Sequence, residues 1–367
     1  MKILFLSYSD IRYDGRLREL LTVADAIGEV YSVIKHNRKN DKNNLSIKKS
    51  GITGILQFVR KTKALCKKMG HIDILFIDNR IACIPGLMIK HKLQNILTIQ
   101  DVRELYLIQE QTRIRSKIGC IIEKAMIKKS DIIICANIYR AKKMMEVYSL
   151  VTCPLIYENI RELSYNDTNI KSFEKKYNAM FQTDGIKIIS TSGYALNRTN
   201  DQLVREMKNI EKKVQLFIVG GGRKEDRMVI NKIVKENHLK NIYFIDKVRE
   251  EELKYLISKC DIGIVNYGQY DTNNRLCASG KIFEFLFEGL PVVTTNNLPL
   301  KDFCREYEVG VSGDSYSESI NEVIRNYDIY KKKVKEFINI YDIANNRERV
   351  IYELNERIKE GMKHKCI

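Results

Sequence analysis

Short β-branched runs alternate with amphipathic stretches along this chain, and the pattern runs through twice. KILFLS at Lys2, EVYSVI at Glu29, IDILFI at Ile72, NILTI at Asn95 and DIIIC at Asp131 are interleaved with helical patterns, among them Arg16 to Ile27 and segments beginning at Ile81 and Thr112. The rhythm restarts with IKIIST, VQLFIV, IYFID, DIGIV and PVVTT between Ile186 and Thr295. Strands this uniformly apolar have no wet face, and helices of this length between them are the crossovers of βαβ units. The predicted fold class is α/β, with two Rossmann-like domains whose parallel sheets face each other across a cleft.

A polar stretch, Asn159 to Asn178, separates the two halves and reads as a linker. The expected organisation is an N-terminal domain over 1–160, a linker over 161–178 and a C-terminal domain over 179–340. A charged helical pattern from Tyr341 through Ile358 has no strand after it, so 341–367 is expected to be a helix that can return to the N-terminal domain. The 367 residues suffice for two such cores.

MKILFLSYSD has a basic start, but its apolar run stops at Asp10 without a small-residue cleavage site and reads as a first strand rather than a signal peptide. No apolar segment approaches the length needed to span a bilayer. The nine cysteines are scattered, form no CxxC and do not group with the five histidines, which suits reduced thiols and argues against a metal site. These features point to a cytoplasmic chain. The net charge of +17 favours polyanions, either nucleic acid or anionic lipid, although Lys is abundant throughout. Two basic amphipathic segments, Gly54 to Gly70 and Thr112 to Lys129, have the pattern of solvated helices or of helices lying on a membrane surface.

In sheets of this kind ligands bind beyond the carboxyl ends of the strands. VQLFIVGGGRKED places Gly220 to Gly222 between a strand and a helix, where backbone amides can meet a phosphate. The spacing is not GxGxxG, so a dinucleotide fingerprint fails. IKIISTSGYALNRTND turns at Ser192 and Gly193 and reaches Arg198, a small turn followed by a cation that suits a diphosphate. A plain loop with a solvated arginine fits that stretch equally well. SGKIFEFLFEGLPVV, Ser279 to Val293, puts Lys281, Glu284 and Glu288 along one stripe of a helix, with Ile282, Phe283, Leu286 and Phe287 toward the sheet. Glu284 is placed to accept two ribose hydroxyls, and Ser279, Gly280 and Lys281 to hold phosphates. An ordinary Lys281–Glu284 surface pair fits the spacing as well.

GKIFEFLFEGLPVV is similar to the signature of GT-B glycosyltransferases of the retaining type often called family 4. Other segments resemble that family in order: SYSDIRYDGRLREL its first loop and helix, IQDVRELY its Asp-x-His-Glu-Leu segment, IIEKAMIKKSDIIICA its Glu-rich helix and following strand, LIYENI its strand ending in Asn, LFIVGGGRKED its glycine loop, and YFIDKVREEELKYLISKCDIGIVNY its closing βαβ unit. The resemblance implies that Glu284 binds the ribose and that Arg198 and Lys281 meet the diphosphate. It places Gly193, Gly221, Ser279 and Gly280 close to the donor, with Ser192 in the same loop and Val248 beside the base. It puts Gly15 and Arg16 near the donor phosphate and Asp101, Arg103 and Glu104 on the acceptor side. Leu276 stands where relatives often carry a second acid, Tyr194 where an arginine is frequent and Arg103 where a histidine is usual. Glu288 receives no role.

The resemblance therefore implies a hexosyl- or related glycosyltransferase that uses a nucleoside-diphosphate sugar as donor. No cofactor is expected, because cations and a helix N-terminus neutralise the leaving group without a metal. The implied acceptor is a growing lipid-linked or surface glycan, as in polysaccharide biosynthesis, with the basic helices on an anionic membrane surface at the inner face of the cell membrane. A sugar-nucleotide epimerase of the same architecture is the nearest alternative. A basic nucleic-acid binder is a further one, against which stands the lack of any recognition-helix, finger or aromatic-basic RNA motif; nucleic acid is not an expected partner.

Overall fold

Alternation with period two decides which side of the sheet each apolar residue serves. In β1 (Lys2–Asp10), Ile3 and Phe5 join one core while Leu4 and Leu6 join another on the opposite face. The computed structural model describes residues 1–37, 42–163 and 169–365, which divide into two units: Met1–Asn159 with the chain from Ala344 onward, and Ile160–Ile343.

The sheet of the first unit contains β1, β2 (Glu29–Lys35), β3 (Asn44–Ile47), β4 (Ile74–Asp78), β5 (Leu97–Val102), β6 (Ile132–Cys135) and β7 (Leu155–Ile156). All pairs are parallel, in the order β3-β2-β1-β4-β5-β6-β7. The helices Gly51–Met69, Cys83–Lys92 and Ile114–Ile127 cover one face. Helix Gly15–Ile27 covers the other together with Val350, Leu354 and Ile358, which recur every four residues on the C-terminal helix Ile343–Lys365.

The second unit repeats the plan with β8 (Ile186–Ser190), β9 (Val214–Val219), β10 (Ile242–Ile245), β11 (Ile262–Val265), β12 (Val292–Thr295) and β13 (Gly310–Gly313). These are again all parallel, in the order β10-β9-β8-β11-β12-β13. β3 and β13 were not expected. Each is four residues long, and GVSG carries one apolar side chain, too little for a periodic signal.

A helix, Ile170–Phe181, stands in much of the stretch expected as linker, while 164–168 of that stretch lie outside the described residues. Phe173, Tyr177, Met180 and Phe181 follow i, i+4, i+7, i+8 spacing and pack on the second unit's core, a stripe hidden by the lysines between them. Ile160 and Leu163, ahead of it, are buried in the same core.

Candidate functional site

The strand order of each sheet reverses once, between β1 and β4 in the first unit and between β8 and β11 in the second. Crossovers leave such a switch point on opposite faces, so the loops beyond the carboxyl ends part and leave a crevice. Both switch points here are polar.

In the second unit the loop after β8 is shaped by glycines. Gly193 adopts φ 62°, and a Cβ there would collide with the carbonyl oxygen of Gly221. Gly220, with φ 126°, lies against the Gly193 backbone, so the Ser192 turn and the glycine loop after β9 are packed on one another. Gly221 itself is exposed and a Cβ on it would meet open space. Beneath the turn lies a buried relay: Ser192 Oγ donates to Asn266 Oδ1 at 2.5 Å, Asn266 Nδ2 to Asn200 Oδ1 at 2.8 Å, and Asn200 Nδ2 to the Gly193 carbonyl at 2.9 Å. The Ser192 hydroxyl thus holds the loop's shape. Beyond it the chain makes a short turn, Leu196–Arg198, and the Arg198 guanidinium lies 3.9 Å from the centroid of the Tyr267 ring, which follows β11.

Helix Gly280–Phe287 begins beside this loop. Its apolar side chains Ile282, Phe283, Phe285 and Leu286 are buried, and Gly289 at φ 78° ends it. Lys281 Nζ donates to the Thr191 carbonyl at 2.8 Å, tying the helix to the carboxyl end of β8. Burial pushes the Lys281 ammonium down to about 8, against the pull of Glu284 and with Arg198 and Arg161 adding to the push. Lys281 is therefore close enough to Arg198 and Arg161 to be repelled by both and to Glu284 to be attracted by it.

Glu284 is 1% exposed. Burial raises its carboxyl above the ordinary range, opposed by Arg161 and Lys281. Arg161 makes an ion pair with Oε1, yet neither carboxylate oxygen accepts a well-directed hydrogen bond. The Ser279 and Thr191 hydroxyls and Arg161 Nε are buried and equally unpartnered. Buried polar groups are normally satisfied, so these orphans, at the start of the helix of Glu284, at the end of β8 that Lys281 joins and on the arginine paired with Glu284, mark a place built to receive polar groups. Glu288 has a different setting: burial raises its carboxyl, and Lys254 stands 3.2 Å away while also reaching Glu162 and the Leu163 carbonyl. It fastens the Ile160–Leu163 segment. Val248 is half-buried against the core, Ser279 and Gly280 are buried at the helix start, and Leu276 ends the short helix Thr272–Arg275.

In the first unit, residues expected at the donor phosphate and the acceptor are drawn into one charge network. Asp14 caps helix Gly15–Ile27, accepting from the Leu17 amide at 3.0 Å. Arg103 donates to Asp78 Oδ1 at 2.5 Å and Oδ2 at 2.6 Å, and also to Asp14 Oδ2. Arg16 donates to Asp101 at 2.6 Å and to the Tyr157 carbonyl at 2.5 Å, with its guanidinium over the Tyr157 ring. Arg16 is buried and Arg103 half-buried, and both are paired with carboxylates, so neither presents a bare cation at the surface of its unit. Arg140 holds the loop from behind through the Arg103 carbonyl and Glu104, the latter at 3.1 Å. Burial pushes the Asp78 carboxyl up to about 6, against the pull of Arg103.

The structure thus brings Gly193, Arg198, Ser279, Gly280, Lys281 and Glu284 to one end of the second sheet, and Gly15, Arg16, Asp101, Arg103 and Glu104 to one end of the first. The sequence reading missed Arg161, Tyr267, Asp14 and Asp78. Of these, Asp78 alone left a signal, as the acid closing an apolar strand. Among the described residues no group of three or more His, Cys, Asp or Glu is placed to hold a metal ion.

Residues 186–326 match the family described as glycosyl transferases group 1, a span that holds every site residue of the second unit except Arg161. No curated protein matches the chain by sequence. Among solved structures, a sucrose-phosphate synthase from Thermosynechococcus elongatus is similar over 99% of this chain and 98% of its own, with TM-score 0.71 and 16% identity. Anabaena HepE in complex with UDP-glucose covers 97% and 100%, with TM-score 0.71 and 12% identity. The apo form of the lipopolysaccharide outer core galactosyltransferase WaaB covers 96% and 99%, with TM-score 0.62 and 11% identity. The chain has the two-domain α/β fold of these GT-B proteins.

Proposed function

We propose that this chain is a glycosyltransferase that moves a sugar from a nucleoside-diphosphate sugar to a glycan or lipid-linked acceptor. The observation that carries the reading is the buried, under-bonded Glu284 carboxylate with Lys281 one turn before it and Arg198, stacked on Tyr267, close enough to Lys281 to act on its charge. A buried carboxylate whose oxygens accept no well-directed hydrogen bond, with only the Arg161 guanidinium against one of them, suits the vicinal hydroxyls of a ribose. Two cations and the start of a helix suit the diphosphate that follows it. The match over 186–326 supports the same assignment, as does the fold shared with a protein crystallised with UDP-glucose.

In this reading negative charge builds on the leaving diphosphate as the sugar becomes oxocarbenium-like. Arg198 and Lys281 neutralise it from fixed positions in place of a metal. The Tyr267 face and the Thr191 carbonyl fix those cations before the donor arrives, so little reorganisation remains to be made. We further propose transfer with retention, by attack from the face of departure, and a hexose or related sugar as the group moved. The site of action is the cytoplasm, at the inner face of the cell membrane, in surface polysaccharide assembly.

Glu284→Ala is the direct test. Calorimetric titration with UDP, GDP and ADP should show binding of one of them to the unaltered chain and its loss, a hundredfold or more, in the variant. Circular dichroism checks that the variant is folded. Unchanged nucleotide binding by Glu284→Ala refutes the assignment. Consumption of the nucleotide sugar to an isomer with no acceptor present assigns an epimerase instead.

A further inference from the structure

Three neighbouring helices, Gly51–Met69, Cys83–Lys92 and Ile114–Ile127, bury Phe58, Leu65, Ile89 and Met126 in one core with β1 and β4. The first two contain no acidic residue at all. The only acid in the third, Glu123, is buried against Arg80 at 2.9 Å and presents no charge outward. The lysines and arginines on the outer sides of these helices are therefore not offset by any carboxylate of the same helices.

The third helix adds a feature that charge alone does not require. Its inward positions are Cys120, Glu123, Met126 and Ile127. Facing away from them are Ile114, Ile118 and Ile121, exposed to 75%, 50% and 55%. Spacings of four and three residues set the three in one stripe, with Arg115 to one side and Lys117 and Lys124 to the other. On the first helix Ile52 and Leu56, four apart, are also exposed, one and two turns before Arg60 and Lys63. A solvated helix gains nothing from an isoleucine stripe, and a nucleic-acid backbone would use the cations while leaving the isoleucines in water. An interfacial helix uses both.

We propose that this face of the first unit docks on an anionic lipid bilayer, with helix Ile114–Ile127 lying in the headgroup layer. Ile114, Ile118 and Ile121 enter the acyl boundary, and Arg115, Lys117 and Lys124 meet the lipid phosphates. This supplies a partner for the lipid-linked acceptor of the proposed function and rests on that reading for its purpose. Its physical basis, exposed isoleucines between cations, is separate.

The test uses the full chain and phosphatidylcholine vesicles with and without phosphatidylglycerol, read by co-flotation. The unaltered chain should float with the anionic vesicles and be largely released near 1 M salt, where the Debye length is about 3 Å. Ile118→Ser with Ile121→Ser, both at exposed positions, should weaken partitioning about tenfold or more. Lys117→Glu with Lys124→Glu should weaken it at least about fivefold per residue, from the ~1 kcal/mol that each cation contributes near such a surface. All variants should keep the nucleotide binding of the unaltered chain, so failure here is distinguishable from failure of the donor site. Binding to anionic vesicles that is absent, or that is untouched by the serine pair, overturns the proposal. Tight, salt-steep binding to duplex DNA without vesicle binding assigns the face to nucleic acid instead.

Discussion

Lys281 gives the sharpest quantitative handle on the donor site, because the same burial that makes it a strong ligand for a diphosphate also lowers its affinity for a proton. With the free ammonium at about 8, roughly nine-tenths of the chains carry the charge at pH 7 and about a tenth at pH 9. A diphosphate bound beside the group pulls its pKa back up, so binding above pH 7 takes up a proton and weakens as pH rises. The affinity for the nucleoside diphosphate should fall about tenfold from pH 7 to pH 9, about 1.4 kcal/mol. The nucleotide's own last ionisation, near pH 6 for phosphate monoesters, is about nine-tenths complete at pH 7 and changes the affinity little across this window. Calorimetric titrations at pH 7, 8 and 9 in buffers of different ionisation heat should show uptake of about half a proton near pH 8. Lys281→Arg keeps a cation that does not titrate in this range and should flatten the profile. An affinity that stays constant through pH 9, with no proton taken up, refutes a Lys281–diphosphate contact.

Arg161→Met removes the cation nearest Glu284. The carboxyl, already raised by burial, should rise further, so nucleotide affinity should fall more at pH 6 than at pH 8, and a pH-independent loss would contradict this. For stability the sign is reversed: a folded-state pKa above the unfolded one stabilises at low pH and loses that contribution as pH rises through it. The two glycine loops give a paired test in urea unfolding. Gly193→Ala should cost about 2 kcal/mol or more, from the left-handed backbone and the collision with the Gly221 carbonyl. Gly221→Ala should change stability by no more than about 0.5 kcal/mol, its surroundings being open. Equal costs at the two positions would mean that the loops are not packed as described.

What was legible in the sequence was whatever repeats at short range. The apolar strands, the helix Gly280–Phe287 and the glycine turns follow from periodicity and backbone restriction, which a linear reading can count. Pairings across the fold left no such trace. Arg103 meets Asp14 and Asp78 from 89 and 25 residues away, and nothing in IQDVRELY says that its arginine will be neutralised. Arg16 likewise reads as a free cation beside a helix start and is instead bound to Asp101, 85 residues on. Arg161 was hidden for a further reason. It sits in a stretch whose polarity reads as linker, although Ile160 and Leu163 on either side of it are buried and aim it at Glu284.

The two acids of helix Gly280–Phe287 and its cap show how one apolar helix accommodates carboxylates for opposite ends. Glu288 lies where the helix stops, and Lys254 answers it at 3.2 Å while bonding the Leu163 carbonyl, so its burial is compensated within the unit. Glu284 lies one turn earlier and is more deeply buried, yet it faces the Arg161 guanidinium with its hydrogen-bonding edges unfilled. An incompletely bonded buried carboxylate costs stability of about 1–3 kcal/mol or more. The Lys281 ammonium carries a similar penalty, seen in its lowered pKa. Replacing such a pair with apolar residues is often neutral or stabilising in proteins, so fold stability gives no reason for these two charges. A ligand carrying both hydroxyls and negative charge would satisfy the two together, and it is the joint misfit of Lys281 and Glu284, rather than either residue alone, that points to a nucleotide sugar.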